Sequence, residues 1–261
     1  MKHVWIYCQE PAQLLDGRVR PEWRAVADGY LVQLNSPDLW PQPDFEAEWW
    51  PWVGAECHRV RDGANGLPWR IVTQAANRAR PGRKKILLPW DDDEGWMRYC
   101  ARVDWLAQQA KSRGAVGLVH DLEDYSHRFP PPDQPQPDWG WQGGPPKLAR
   151  ARAQQWRAAV GDRLPVSVLD HCSSSMVWPA WRAWARALTT APRAQPALVW
   201  EEETFFFPIP AQLAGIRIAL RVMVGTDRIG VGLQGDPVRM SNHPLAALAE
   251  KRGLPVWVYP W

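Results

Sequence analysis

Asp121 and Glu123 stand at alternate positions at the end of an apolar run, Gly114-Ala-Val-Gly-Leu-Val-His-Asp-Leu-Glu-Asp-Tyr125. In a strand the side chains alternate with period two, so both carboxyls emerge on one side, roughly 6–7 Å apart along the backbone. Two acids at such a spacing suit general acid–base chemistry at an acetal carbon. One carboxylic acid protonates the leaving oxygen and a second group assists at the anomeric carbon, with about 5–9 Å between them depending on mechanism. A third acid comes from the cluster Glu201-Glu-Glu203. Crowded carboxylates raise one another's pKa, which keeps a general acid protonated. The purely structural alternative is that Asp121 or Asp124 caps the following segment or pairs with Arg128.

Other chemistries are less well served. His120, Asp121, Asp170 and His171 are donors of the kind a metal takes, but alternation sets His120 opposite to Asp121, and the first strand has no His-x-His. No metal is expected. Ser173-Ser-Ser175 lacks the Gly-x-Ser-x-Gly context of a strained serine nucleophile. Neither Gly-x-Gly-x-x-Gly after the first strand nor Gly-x4-Gly-Lys-Ser/Thr occurs, so a phosphate cradle is absent and no cofactor is expected. Cys8, Cys57, Cys100 and Cys172 are scattered without a Cys-x-x-Cys pair, which reads as reduced core residues rather than a zinc knuckle or a disulfide scaffold.

The elements that must position the acids alternate along the chain. Strands are expected at 4–8, 30–34, 85–90, within 114–125 with both Asp121 and Glu123 on it, and at 165–169, 197–200, 229–233 and 255–259. Helices are expected at 21–27, 68–80, 94–113, 147–160, 175–188, 210–222 and 244–252. Helix 94–113 would bury Met97, Cys100, Ala101, Trp105 and Ala110. A glycine or short turn separates several helices from the next strand, as at Gly29, Gly114, Gly161 and Gly253. Alternation of this kind implies a parallel sheet with right-handed crossovers. At 261 residues, near the size of a single α/β barrel of about 250, the expected fold is one (β/α)8 TIM barrel spanning 1–261. Two long βα loops rich in Trp and Pro are expected, at 40–52 and 124–146; the second, with Pro130-Pro-Pro132 and Trp139-Gly-Trp141, would lie over the sheet as a binding lid. The chain stops just past strand eight, so the last outer helix is missing and a protein partner could cover that flank.

Catalytic groups in such barrels gather at the carboxyl ends of the strands. That rim would carry Tyr7, Gln9, Trp90, Asp91, Tyr125, Asp170, Gln234, Trp257 and Tyr259 as substrate contacts beside Asp121, Glu123 and Glu201. Nineteen tryptophans against five phenylalanines and five tyrosines fit a carbohydrate ligand, because indole offers a flat apolar face and one N–H donor. Core filling, together with a source rich in G and C, accounts for the tryptophans equally well. A net charge of +3 with no long run of one sign argues against a nucleic-acid partner. No stretch of about 18 apolar residues exists for a bilayer, and the N-terminus lacks a signal core. Synthesis in the cytoplasm without a signal peptide is expected, with release or association with a virion left open.

The run Gly117-Leu-Val-His-Asp121-Leu-Glu123 resembles the fourth-strand signature of family 18 glycoside hydrolases, in which a glycine is followed by alternate acids ending in Asp-x-Glu. Gly117, Asp121 and Glu123 match; Val119 replaces the first alternate acid, and the third-strand Ser-x-Gly-Gly is absent. The last strand, with Trp257, is similar to the Trp-bearing last strand of that family. This resemblance implies Glu123 as general acid and Asp121 as the residue that orients a substrate acetamido group acting as internal nucleophile. The run ending at Asp121, with Asp124-Tyr125 and Arg128-Phe-Pro130, also resembles the barrel glycoside hydrolases related to family 114. That resemblance implies reaction through Asp121 and Glu201, with Glu123 auxiliary. The expected function is therefore hydrolysis of an oligo- or polysaccharide, and the alternative is a barrel that binds glycan or scaffolds an assembly without catalysis.

Overall fold

The computed structural model describes residues 4–8, 21–32, 40–54, 70–73, 84–87, 93–121, 146–170, 179–189, 199–201, 210–226 and 228–260. In chain order the elements are β1 (Val4–Cys8), α1 (Pro21–Arg24), β2 (Gly29–Val32), β3 (Glu48–Gly54), β4 (Arg70–Thr73), β5 (Lys84–Leu87), α2 (Asp93–Ser112) and β6 (Leu118–Asp121). There follow α3 (Pro146–Val160), β7 (Val166–Asp170), α4 (Pro179–Thr189), β8 (Val199–Glu201), α5 (Pro210–Met223), β9 (Ile229–Gln234), α6 (Pro237–Ser241), α7 (Pro244–Lys251) and β10 (Val256–Tyr259). Short runs rich in Val, Ile and Trp pair in parallel in the order β1-β10-β9-β8-β7-β6-β3-β2, and β2 bonds back to β1. The architecture is α/β and TIM-like, with helices outside a curled parallel sheet.

One strand of this ring is not the one expected. Lys84–Leu87 pairs antiparallel with Arg70–Thr73 in a separate two-stranded sheet, where a helix over 68–80 and a third barrel strand at 85–90 were expected. The third member is β3, inside the stretch expected to be a Trp/Pro-rich loop. It joins β2 through Leu31↔Trp50 and β6 through Trp52↔Val119. Two further bonds stitch it to the turn before β6: the Trp49 indole N–H donates to the Arg113 carbonyl (3.3 Å), and the Val116 N–H donates to the Trp49 carbonyl (3.0 Å). Pro51 lies mid-strand, and proline removes a ladder donor and normally argues against a central strand. Here the flanking tryptophans are accommodated on both faces: Trp49 packs outside with Trp40, while Trp50 and Trp52 belong to the interior cluster.

Indoles fill the interior and glycines make room for them. Trp5, Trp50 and Trp200 meet edge to face with ring centroids 6.0–6.2 Å apart. Above them Tyr7, Trp52 and Trp257 form a second layer with centroids 4.9–5.9 Å apart. A Cβ on Gly117 would lie 2.6 Å from the Trp50 ring, and a Cβ on Gly29 or Gly230 would strike Trp5 or Trp200 in the same way. Gly29 is thus required for packing rather than for stopping a helix. Gly253, by contrast, has φ +67 and follows α7, the left-handed position at which glycine ends helices without strain.

The outer layer departs from expectation on α2. Its buried face is Trp96, Tyr99, Cys100, Val103, Leu106, Ala107 and Ala110, whereas Met97 is 55% and Trp105 39% exposed and Ala101 is exposed too. Two apolar stripes run along this helix, and the one with more large side chains faces the barrel. The exposed Trp105 is overlain by the Arg102 guanidinium at 4.0 Å, a contact worth roughly 0.5–1 kcal/mol at a surface. The flank between β10 and β1 is not bare. Val4, Ile6, Val256 and Val258 are buried within the chain, and α6 and α7 pack against β10, so the described residues offer no uncovered face there. The Asp236 carboxylate caps α6, accepting the Arg239 N–H at 3.1 Å, with Pro237 in the first turn. Asp236→Ala should lower stability by about 1 kcal/mol, measured as a reduced urea midpoint with unchanged slope.

Candidate active site at the carboxyl ends of the strands

Tyr7, Gln234, Trp257 and Tyr259 come together where β1, β9 and β10 end. The register pairs Tyr259 with Gln234. The Tyr7 ring lies 5.2 Å from Tyr259 at 30° and 5.9 Å from Trp257 at 72°. Tyr7 and Trp257 are buried, while Tyr259 and Gln234 are half-buried, which makes an aromatic floor with an amide at its edge. The sequence Gln234-Gly-Asp-Pro237 builds this corner locally. Gly235 takes φ +140, and its N–H donates to the Tyr259 carbonyl at 3.0 Å, which locks the ends of β9 and β10 together just before the α6 cap.

The acids reach the same end of the sheet by backbone. Asp121 closes β6 and pairs with Gly54; Asp170 and Glu201 close β7 and β8 and pair with each other. The phase of each strand follows from its described neighbours. Val119 and Trp200 belong to the interior cluster, and the Trp200 indole N–H donates to the Ser167 Oγ at 2.9 Å inside the barrel. Gln9, Trp90, Asp91, Glu123 and Tyr125 lie outside the described residues, and so do His171 and the lid expected over 124–146, save Pro146, which begins α3.

Two residues matter more than the sequence suggested. Trp52, expected in a loop, is a wall of the aromatic floor, 4.9 Å from Tyr7 and 5.5 Å from Trp257; its position two residues after Trp50 in a Trp-x-Trp pattern is a period-two signal that Pro51 masked. His120 lies on the outer side of β6, 0% exposed, against Trp156 at 4.4 Å and Trp184 at 4.9 Å. Burial pushes its imidazole down to about 3, so it is neutral at ordinary pH. Among the described residues no group of three His, Cys, Asp or Glu side chains could hold a metal ion. Cys8 and Cys100 are free and buried, and burial pushes their thiols up to about 12 and about 11. Neither is a thiolate nucleophile at neutral pH.

No protein-family model matches the sequence, and no curated relative matches it. Solved structures share its fold. Morphinone reductase aligns over 99% of this chain and 81% of its own, with 12% identity and a TM-score of 0.53. An endo-beta-N-acetylglucosaminidase from Cordyceps militaris aligns over 99% and 81%, with 11% identity and a TM-score of 0.49. Ega3 from Aspergillus fumigatus, solved with galactosamine, aligns over 100% and 77%, with 10% identity and a TM-score of 0.45. At such identities the likeness concerns the TIM-like fold alone, and a fold does not fix a function. No described helix is long and apolar enough to cross a membrane.

Proposed function

We propose that this chain is a glycoside hydrolase, one (β/α)8 barrel over 1–261 that cleaves an oligo- or polysaccharide at the carboxyl ends of its strands. The observation that carries this reading is that β6 ends at Asp121, at the same end of the sheet where Tyr7, Gln234, Trp257 and Tyr259 come together. Aromatic faces support stacking on a sugar ring, and the Gln234 amide and tyrosine hydroxyls can bond its hydroxyls. Asp121 and Glu123 form the catalytic pair: Glu123 protonates the leaving oxygen, and Asp121 assists at the anomeric carbon or orients the group that does. The β8 acids are the third member. Because Trp200 before it belongs to the interior cluster and side chains alternate along a strand, the sequence neighbour Glu202 joins Glu201 as a candidate for that role.

The test is release of reducing ends from bacterial cell-wall and capsule glycans and chitin oligomers. Turnover by the wild type that disappears in Glu123→Gln, with near-UV circular dichroism unchanged, supports the reading. Binding of a glycan that no variant cleaves and no acid-to-amide substitution weakens would instead indicate a carbohydrate-binding or scaffolding barrel, for which the indole-filled interior is suited.

A further inference from the structure

We propose that His120 makes the barrel an acid-operated switch, in which proton uptake by its caged ring releases α3 and α4 from β6 and with them the strand end that carries Asp121. The geometry lies outside the proposed active site and does not depend on its ligand. The His120 ring is wholly buried between the indoles of Trp156 on α3 and Trp184 on α4. Trp96 of α2 closes the cage by meeting Trp184 edge-on at 5.9 Å. Neither ring nitrogen of His120 has a hydrogen-bond partner among the described residues, nor has the Trp156 indole N–H. A neutral imidazole tolerates such a site with one N–H against an aromatic face. An imidazolium carries two donors and a charge and needs acceptors.

Among the described residues no acceptor is bonded to it. β3 and β7 set Val53 and Val168 opposite His120 in the register. The charged or titratable groups on the buried faces of the helices are Arg152 on α3 and Tyr99 and Cys100 on α2. The Arg152 guanidinium is itself a cation, 5.4 Å from the Trp96 ring and bonded to the exposed Asp93 at 2.6 Å. Cys100 stays a neutral thiol, and α4 adds only Arg182 and Arg186, both cations and not wholly buried. Protonation is therefore resolved by opening the cage rather than by pairing within it.

The sign follows from linkage. The unfolded chain binds this proton near the ordinary histidine value of 6.5 and the folded chain only near 3. The contribution to stability is thus complete above about 6.5 and is lost progressively as pH falls below it. Because His120 is joined directly to Asp121, opening at this point displaces the rim residue before the rest of the ring.

The experiment follows the full chain from pH 7.5 to 4 by near-UV circular dichroism and tryptophan fluorescence, with back-titration, for the wild type and His120→Phe. The same titration of the wild type is followed by ¹⁵N resonances of the histidine rings. The wild type should lose its near-UV signal reversibly, with the His120 nitrogens neutral until that transition and charged after it. His120→Phe should keep the native signal at least one pH unit lower. An acid midpoint unchanged in His120→Phe overturns the proposal. So does a His120 ring that titrates smoothly near 6.5 while the near-UV signal stays native, a result that stands even where the phenylalanine variant does not fold.

Discussion

Gly230→Ala should destabilise the protein by about 3 kcal/mol, at the upper end of what overpacking a core usually costs. The new methyl would enter the Trp200 ring. That ring cannot yield, because its N–H is held by Ser167 and its edges by Trp5 and Trp50. Alanine is favoured over glycine in a strand by about 0.5–1 kcal/mol, so an exposed glycine at this step would gain stability on the same change. Trp200→Leu alone should cost several kcal/mol through the cavity it leaves. Combined, the two should cost clearly less than their sum, since the methyl occupies space that the indole has vacated. Urea denaturation of the four proteins closes the cycle. Strict additivity would mean that glycine and indole do not meet, and the layered interior would have to be redrawn.

Asp121→Asn should lower kcat by about 10²–10⁴-fold, the range over which a positioned acid or base contributes, with a smaller change in KM. The same substitution one strand-pair away makes the contrast. Glu201→Gln, next to the inward Trp200, should change kcat by less than tenfold, whereas Glu202→Gln should behave like Asp121→Asn. Initial rates on the fastest substrate of the glycan panel, with folding checked for each variant, decide between them. A Glu201 variant as inactive as Asp121→Asn, beside an active Glu202 variant, would show that β8 turns its last residue inward and would favour catalysis by Asp121 and Glu201.

Much of the helical layer could be read directly. The long helix before β6 begins and ends within one residue of its expected bounds, at Asp93 and Ser112, because its period, acidic first turn and terminal glycine are all local signals. The buried face was harder. Met97, Ala101 and Trp105 keep helical spacing as faithfully as Trp96, Cys100, Val103 and Ala107, and nothing in the helix itself says which stripe meets the sheet. The third barrel strand was missed for a related reason. Pro51 and a density of tryptophans look like a loop, while Lys84–Leu87 looks like a strand and is one, but in a different sheet.

The sequence by itself determined the alternation of helices with apolar runs, the acids at the ends of three of those runs, and the glycine turns that close the helices. Each depends on residues within a few positions of one another, where side-chain period, capping and backbone freedom act. Only the tertiary structure decided which run became β3 and which tryptophans point inward. Those outcomes rest on contacts between residues far apart in the chain: Trp50 over Gly117, Trp5 over Gly29, the Trp200 N–H on Ser167. A one-residue shift in strand phase exchanges the two faces of a sheet, so the role of an acid at a strand end is fixed by the large side chain beside it and by the glycine on the next strand that leaves room for that side chain.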